Sequence, residues 1–127
     1  MNEPEDFEPI LAQLGANGGA IFNADAFINN NLKLAVDLSE RYRVPAIYGG
    51  GGSAAKSGCL ITYNLDILAQ FRQTAPYLDR ILKGEKPADL PVQQPTKFQY
   101  VINLKAAKAL GLVVPLTMQM TADEVVE

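Results

Sequence analysis

The chain has 127 residues, enough for one domain with its own core, and its 48% hydrophobic and 20% charged residues exclude a disordered polymer. A net charge of −3 with no basic run argues against nucleic acid as a partner, since a phosphate backbone is held by clustered Lys and Arg. Histidine is absent and Cys59 is the single cysteine, which excludes an intrachain disulfide, a Ser-His or Cys-His hydrolase and the usual zinc site.

Cys59 opens an apolar run and reads as a small buried hydrophobe rather than a reactive thiol. The acidic start, Met1 to Asp6, lacks the basic and apolar regions of a secretory signal. No apolar run approaches the roughly 20 residues that cross a bilayer, so no membrane insertion is expected.

Asp6 is expected to cap a helix from Phe7 to Leu14, with Gly15 as its stop and Phe7, Ile10, Leu11 and Leu14 on one face. Ala20-Ile21-Phe22 predicts a short buried strand that ends in the polar break Asn23-Ala24-Asp25. A helix capped by Asn29 or Asn30 follows to about Arg43, burying Leu32, Ala35, Val36, Leu38 and Tyr42. Val44 to Tyr48 reads as a second strand, with Pro45 at its start or on an edge.

After a glycine-rich loop, Cys59 to Tyr63 predicts a third strand. Asp66 caps a helix whose apolar spacing runs from Ile67 to Leu82, continuous but kinked by Pro76, up to the stop at Gly84. Lys86 to Pro91 is an extended linker, Thr96 to Ile102 a strand, and Asn103 caps a helix that Gly111 stops. The acidic tail beyond Val113-Val114-Pro115 is expected to fray. Strands alternating with helical crossovers predict an α/β fold, a mostly parallel sheet with helices on both faces.

The loop is where chemistry is sought first, because a glycine-rich loop between two strands is where an α/β protein commonly meets a small ligand. Gly50-x-x-x-x-Ala55-Lys56-Ser57 approaches a phosphate-binding loop, but Ala55 stands where the backbone needs a glycine. A β-like run, not a helix, also follows the lysine. Gly49 to Ser53 matches a flexible linker unit too, yet both flanks continue one α/β pattern.

Asp25 lies past a strand end, placed either to meet a ligand's ammonium or hydroxyl or to start the next segment as an Asx turn. Tyr48 and Tyr63 bracket the loop, as ligand-stacking rings or as core-edge residues. Ser53, Lys56 and Ser57 offer donors to a carboxylate, although Lys56 fits a solvated loop charge better. No nucleophile-plus-base pairing can be argued from spacing, so catalysis is not expected. Neither is a cofactor or a metal.

Tyr77-Leu78-Asp79-Arg80-Ile81-Leu82-Lys83-Gly84-Glu85-Lys86-Pro87-Ala88-Asp89-Leu90-Pro91 and its continuation to Phe98 resemble a long signature of one family. So do Val101 to Leu112, Arg43 to Tyr48 and the Asp25-Ala26-Phe27 break. The family is that of ABC-transporter substrate-binding proteins of the tryptophan/tyrosine-binding type.

The resemblance implies one lobe, the C-terminal one, of a type I periplasmic binding protein. Such proteins have two α/β lobes joined by a hinge and deliver a small ligand, an amino acid in some members, to a membrane permease. It implies a single α/β domain over residues 1–127, a hinge-like segment at 85–97, and a periplasmic or lipid-anchored location. By position, Asp25, Tyr48, Ser53, Tyr63 and Asn64 fall on the cleft side as ligand contacts. A lobe without its partner exposes apolar surface, which predicts a homodimer or a structural or sensory module.

Overall fold

A computed structural model describes residues 3–50 and 52–127, the side chains of residues 52 and 53 excepted. The contacts group into two compact units: residues up to Asn64 together with Gln99–Glu127, and Leu65–Phe98.

The first unit begins with a 3-10 turn at Pro4–Asp6 and helix α1 (Phe7–Leu14), where Phe7 and Leu11 are buried. Asp6 does not cap α1: its own backbone is already helical, and its carboxylate accepts the Glu3 N–H at the head of the preceding turn. Strand β1 (Ala20–Phe22) then runs parallel to β2 (Ala46–Tyr48), which runs parallel to β3 (Ile61–Leu65).

Between β1 and β2 the sequence predicts one helix capped at Asn29 or Asn30, but two form: α2 (Ala26–Asn30) and α3 (Leu32–Arg41). The cap is Asp25, whose carboxylate accepts the Ile28 N–H at 2.7 Å. An extended backbone before a carboxylate that reaches N3 starts a helix four residues earlier than the apolar stripe does. Asn31 breaks the pair.

The glycine-rich stretch is not all loop either. Helix α4 (Gly52–Lys56) occupies it, with Ala54 and Ala55 buried. The third strand starts later than the expected Cys59, at Ile61, leaving Cys59 and Leu60 as buried approach residues.

Strand β4 (Phe98–Asn103) lies beside β3 and leads into α6 (Leu104–Ala109). Asp66 N–H donates to the Lys97 carbonyl and Asn103 N–H to the Leu60 carbonyl. Since one register number rises as the other falls, β4 runs antiparallel to β3. The tail expected to fray instead forms α7 (Leu116–Thr121) and strand β5 (Glu124–Val126), parallel to β4. Asp123 fixes it: its N–H donates to the Tyr100 carbonyl at 2.8 Å and its carboxylate accepts the Tyr100 N–H at 2.7 Å. Three residues are too few for alternation to announce a strand.

The sheet order is β1-β2-β3-β4-β5, mostly parallel as expected of this α/β class. In-register partners share a face, so Phe22, Tyr48 and Thr62 point one way and Ile21, Ile47 and Ile61 the other. The first set is buried, Phe22 against Phe7 of α1 and Tyr48 against Ser39 of α3. Four aromatic rings run through that core: Phe27 stacks on Phe7 at 5.5 Å, Phe7 tilts on Phe22 at 6.0 Å, and Phe22 stacks on Tyr48 at 5.0 Å. Ile21 and Ile47, on the opposite face, stay exposed, whereas Ile102 further along that face is buried.

The second unit is helix α5 (Ile67–Leu82), continuous through Pro76, with the segment that follows it. Asp66 caps α5 through the Ala69 N–H at 3.0 Å and pairs with Lys97 at 3.0 Å. Those two contacts, the backbone one first, hold its carboxyl below the usual range. The expected extended linker contains a 3-10 turn at Pro87–Asp89. Tyr77 donates its O–H to the Pro91 carbonyl, and a groove of about 710 Å³ lies between α5 and this proline-rich strap.

Candidate functional site

The parallel strands β1, β2 and β3 end together, and their C-terminal ends carry most of the residues expected at a ligand. Asn23 to Asp25 follow β1, the glycine stretch follows β2, and Asn64 is the penultimate residue of β3. Two of these loops touch at Gly49. Its N–H donates to the Phe22 carbonyl at 2.7 Å, and a Cβ there would sit 2.6 Å from the Ala24 backbone nitrogen. Only glycine permits that approach.

The phosphate-loop alternative fails on this geometry. In such a loop the lysine and the hydroxyl residue open a helix, with backbone N–H groups curled around phosphate. Here Lys56 closes α4 in its last turn. Gly58, at φ +101°, then turns the chain toward β3. Among the described residues no cluster of acidic, cysteine or histidine side chains could hold a metal.

Asp25 has its carboxylate engaged as the α2 cap, so the Asx reading of its sequence position is the observed one. Tyr48 turns away from the edge. It is 2% exposed, stacked on Phe22, and its O–H donates to Ser39 Oγ at 3.2 Å. Burial drives its phenol well above the ordinary value. Strand alternation explains this placement: Tyr48 is the register partner of Thr62 and therefore cannot share a face with Tyr63. The two tyrosines that bracket the loop in sequence point to opposite faces of the sheet.

Tyr63 is 52% exposed and meets Tyr100 edge-on, with ring centroids 6.4 Å apart. The antiparallel register puts the two directly opposite. Burial also lifts the Tyr100 phenol above its ordinary value. Tyr100 was not legible as a site residue, because only the β3–β4 register brings it to Tyr63. Asn64, the next residue along β3, is half-buried on the opposite face of the sheet, and the side chain of Ser53 lies outside the described residues.

Cys59 is fully buried, and burial pushes its thiol up to about 12 from an ordinary 9. A group whose folded pKa is raised leaves stability intact below the unfolded value and withdraws it as pH rises toward the folded one. Thermal stability is therefore expected to fall between about pH 9 and 12, and Cys59→Ala to flatten that fall. Unchanged alkaline melting curves for the variant would rule out the buried thiol as the cause.

With that geometry in place, the comparisons are specific. The family model "ABC transporter substrate binding protein" matches residues 5–126. The chain belongs to this family.

Solved structures share the fold. A conserved domain protein from Vibrio cholerae O1 biovar El Tor superposes with a TM-score of 0.83 at 21% identity, over 98% of this chain and 42% of that one. An ABC domain in complex with L-Trp from Streptococcus pneumonia gives 0.80 at 22% identity, over 99% and 44%. A ligand-free, open substrate binding protein with adhesive properties from Clostridium difficile gives 0.70 at 17% identity, over 99% and 42%. A search of curated protein sequences finds no match. This member of the family thus spans less than half the length of those solved relatives. Among its described residues no helix is long and apolar enough to cross a membrane.

Proposed function

We propose that the chain is a solute-binding component of an ABC importer, or one lobe of such a component. It takes a small molecule such as an amino acid at the C-terminal edge of β1 to β3, without catalysis. Membership of the substrate-binding family supports the solute role. The single observation that favours a ligand with a ring is the Tyr63–Tyr100 pair, an aromatic ledge half open on the β3–β4 pair. The L-Trp complex of a structural relative is in keeping with that choice.

In this reading Tyr63 contacts the ligand, Asp25, Ser53 and Asn64 flank it from the strand ends, and Tyr48 supports the edge from the core. Residues 85–97, stiffened by Pro87, Pro91 and Pro95, serve as the hinge-like segment. The partners are a membrane permease and a second copy of the chain, and the location is periplasmic or lipid-anchored.

Isothermal titration with L-Trp, L-Tyr and the remaining amino acids tests the proposal. Binding of at least one is expected. Tyr63→Ala should weaken it about three- to tenfold, the scale of one aromatic contact, while Tyr48→Phe leaves it unchanged. Absence of heat from every amino acid and from a panel of other small metabolites would remove the solute-binding role of this chain.

A further inference from the structure

Leu65–Phe98 leaves the sheet at the end of β3 and returns at the start of β4. The excursion is shorter than the roughly 40 residues a chain needs to build a core unaided, and none of its residues is buried. Within it the strap covers one flank of α5: Leu90, Pro91 and Val92 line the groove together with Ile67, Phe71 and Ile81. The apolar arc of the helix continues past the groove through Leu68, Leu78 and Leu82, with Leu68 69% and Leu82 86% exposed. Arg72, Asp79, Arg80 and Lys83 fall on the opposite side of the helix. A helix holds its conformation chiefly by packing such an apolar face, and no residue of this unit supplies the surface it needs.

The chemistry of the face restricts what can cover it. The residues lining the groove carry no charge, and Gln70, Gln73 and Gln93 offer it neutral amides. A small molecule that filled the groove would leave Leu68, Leu78 and Leu82 in water, so the face calls for a folded protein surface. Each solved relative covers 98–99% of this chain with only 42–44% of its own length, so more than half of each relative is polypeptide without a counterpart here.

We propose that the α5–strap face is the seat of a complementary lobe, made of the kind of polypeptide that fills the remaining length of the relatives. That lobe would present an apolar, uncharged surface, and Leu65–Phe98 would find its missing core there. The inference rests on the one-lobe form of the function proposed above, and its test reads packing rather than solute.

In the chain alone at low concentration, α5 amides should exchange hydrogen at least about tenfold faster than those of β1 to β3. The part of the Vibrio cholerae or the Streptococcus relative that this chain does not cover, supplied in excess as a separate polypeptide, should slow α5 exchange about tenfold or more. Phe71→Glu, at a position already exposed, should weaken that association about 30-fold or more, the scale of an interface hot spot. Arg72→Ala, on the charged side of the helix, should leave it unchanged. Exchange of α5 as slow as that of the core strands in the chain alone would overturn the proposal, because the unit would then need no cover. So would the lack of any slowing with either lobe, or an association indifferent to Phe71→Glu. Slowing that grows with the chain's own concentration would give the face to a second copy instead. Protection by a lobe in a chain that binds no solute would sink the solute-binding role and leave this inference standing.

Discussion

Phe7→Ala is expected to lower folding stability by about 3–5 kcal/mol, the range for emptying a buried aromatic site. Phe7 is fully buried and sits between Phe27 and Phe22, so its ring joins α1 and α2 to β1. Its removal takes away the apolar transfer free energy and leaves a cavity walled by stacked rings that cannot collapse together. The loss should also reach the candidate site, because Phe22 stacks on Tyr48 and its carbonyl receives the Gly49 N–H. Urea titration gives the number. A loss below about 1 kcal/mol would mean that α1 does not seal this core, and Phe7→Leu should recover part of the effect.

Asn103→Ala is expected to cost about 2–4 kcal/mol, for a different reason. The Asn103 side chain is buried and satisfies two backbone groups at once. Its carbonyl oxygen accepts the Ala106 N–H at 2.9 Å, capping α6, and its amide donates to the Ala55 carbonyl at 2.8 Å, holding the end of α4. Loss of a cap costs about 1 kcal/mol, and a buried carbonyl left without a donor costs about 1–3 kcal/mol more. Asn103→Ser restores the capping oxygen but not the reach to Ala55, so it should recover only the smaller part. If Ser and Ala variants melt alike, the cap contributes nothing measurable and the tie to α4 carries the whole effect.

These two residues show how differently the fold and the site were legible. Phe7 and Leu11 on one face of α1, Ala35, Val36 and Leu38 on one face of α3, and Asn103 as a cap all follow from local spacing and chemistry, and all are observed. The second task of the Asn103 amide does not. Ala55 is 48 residues away, and no local pattern reports that a helix packs there. In the sequence Ala55 reads as the flaw in a phosphate loop, whereas in the structure it and Ala54 are buried side chains of a helix.

The aromatic residues divide the same way. Composition and periodicity place Tyr48 and Tyr63 at strand ends; Tyr48 does end β2, whereas Tyr63 lies in the middle of β3 because that strand starts two residues later than expected. Which face each side chain takes depends on a register of one residue, and a three-residue strand such as β2 offers too little alternation to fix it. Tyr48 therefore went to the core, and Tyr63 found Tyr100 across an antiparallel pair.

By itself the sequence determined the α/β class, the order of its principal strands and helices, the caps at Asp66 and Asn103, and the family, since each depends on local periodicity or on contiguous motifs. Tertiary structure alone decided that β4 reverses direction, that the acidic tail closes the sheet as β5, and that the glycine stretch packs against Ala24 and winds into α4. It also decided that one tyrosine of the bracketing pair is buried while the other is exposed. Those outcomes rest on contacts between residues far apart in the chain, whose free energy no local window contains.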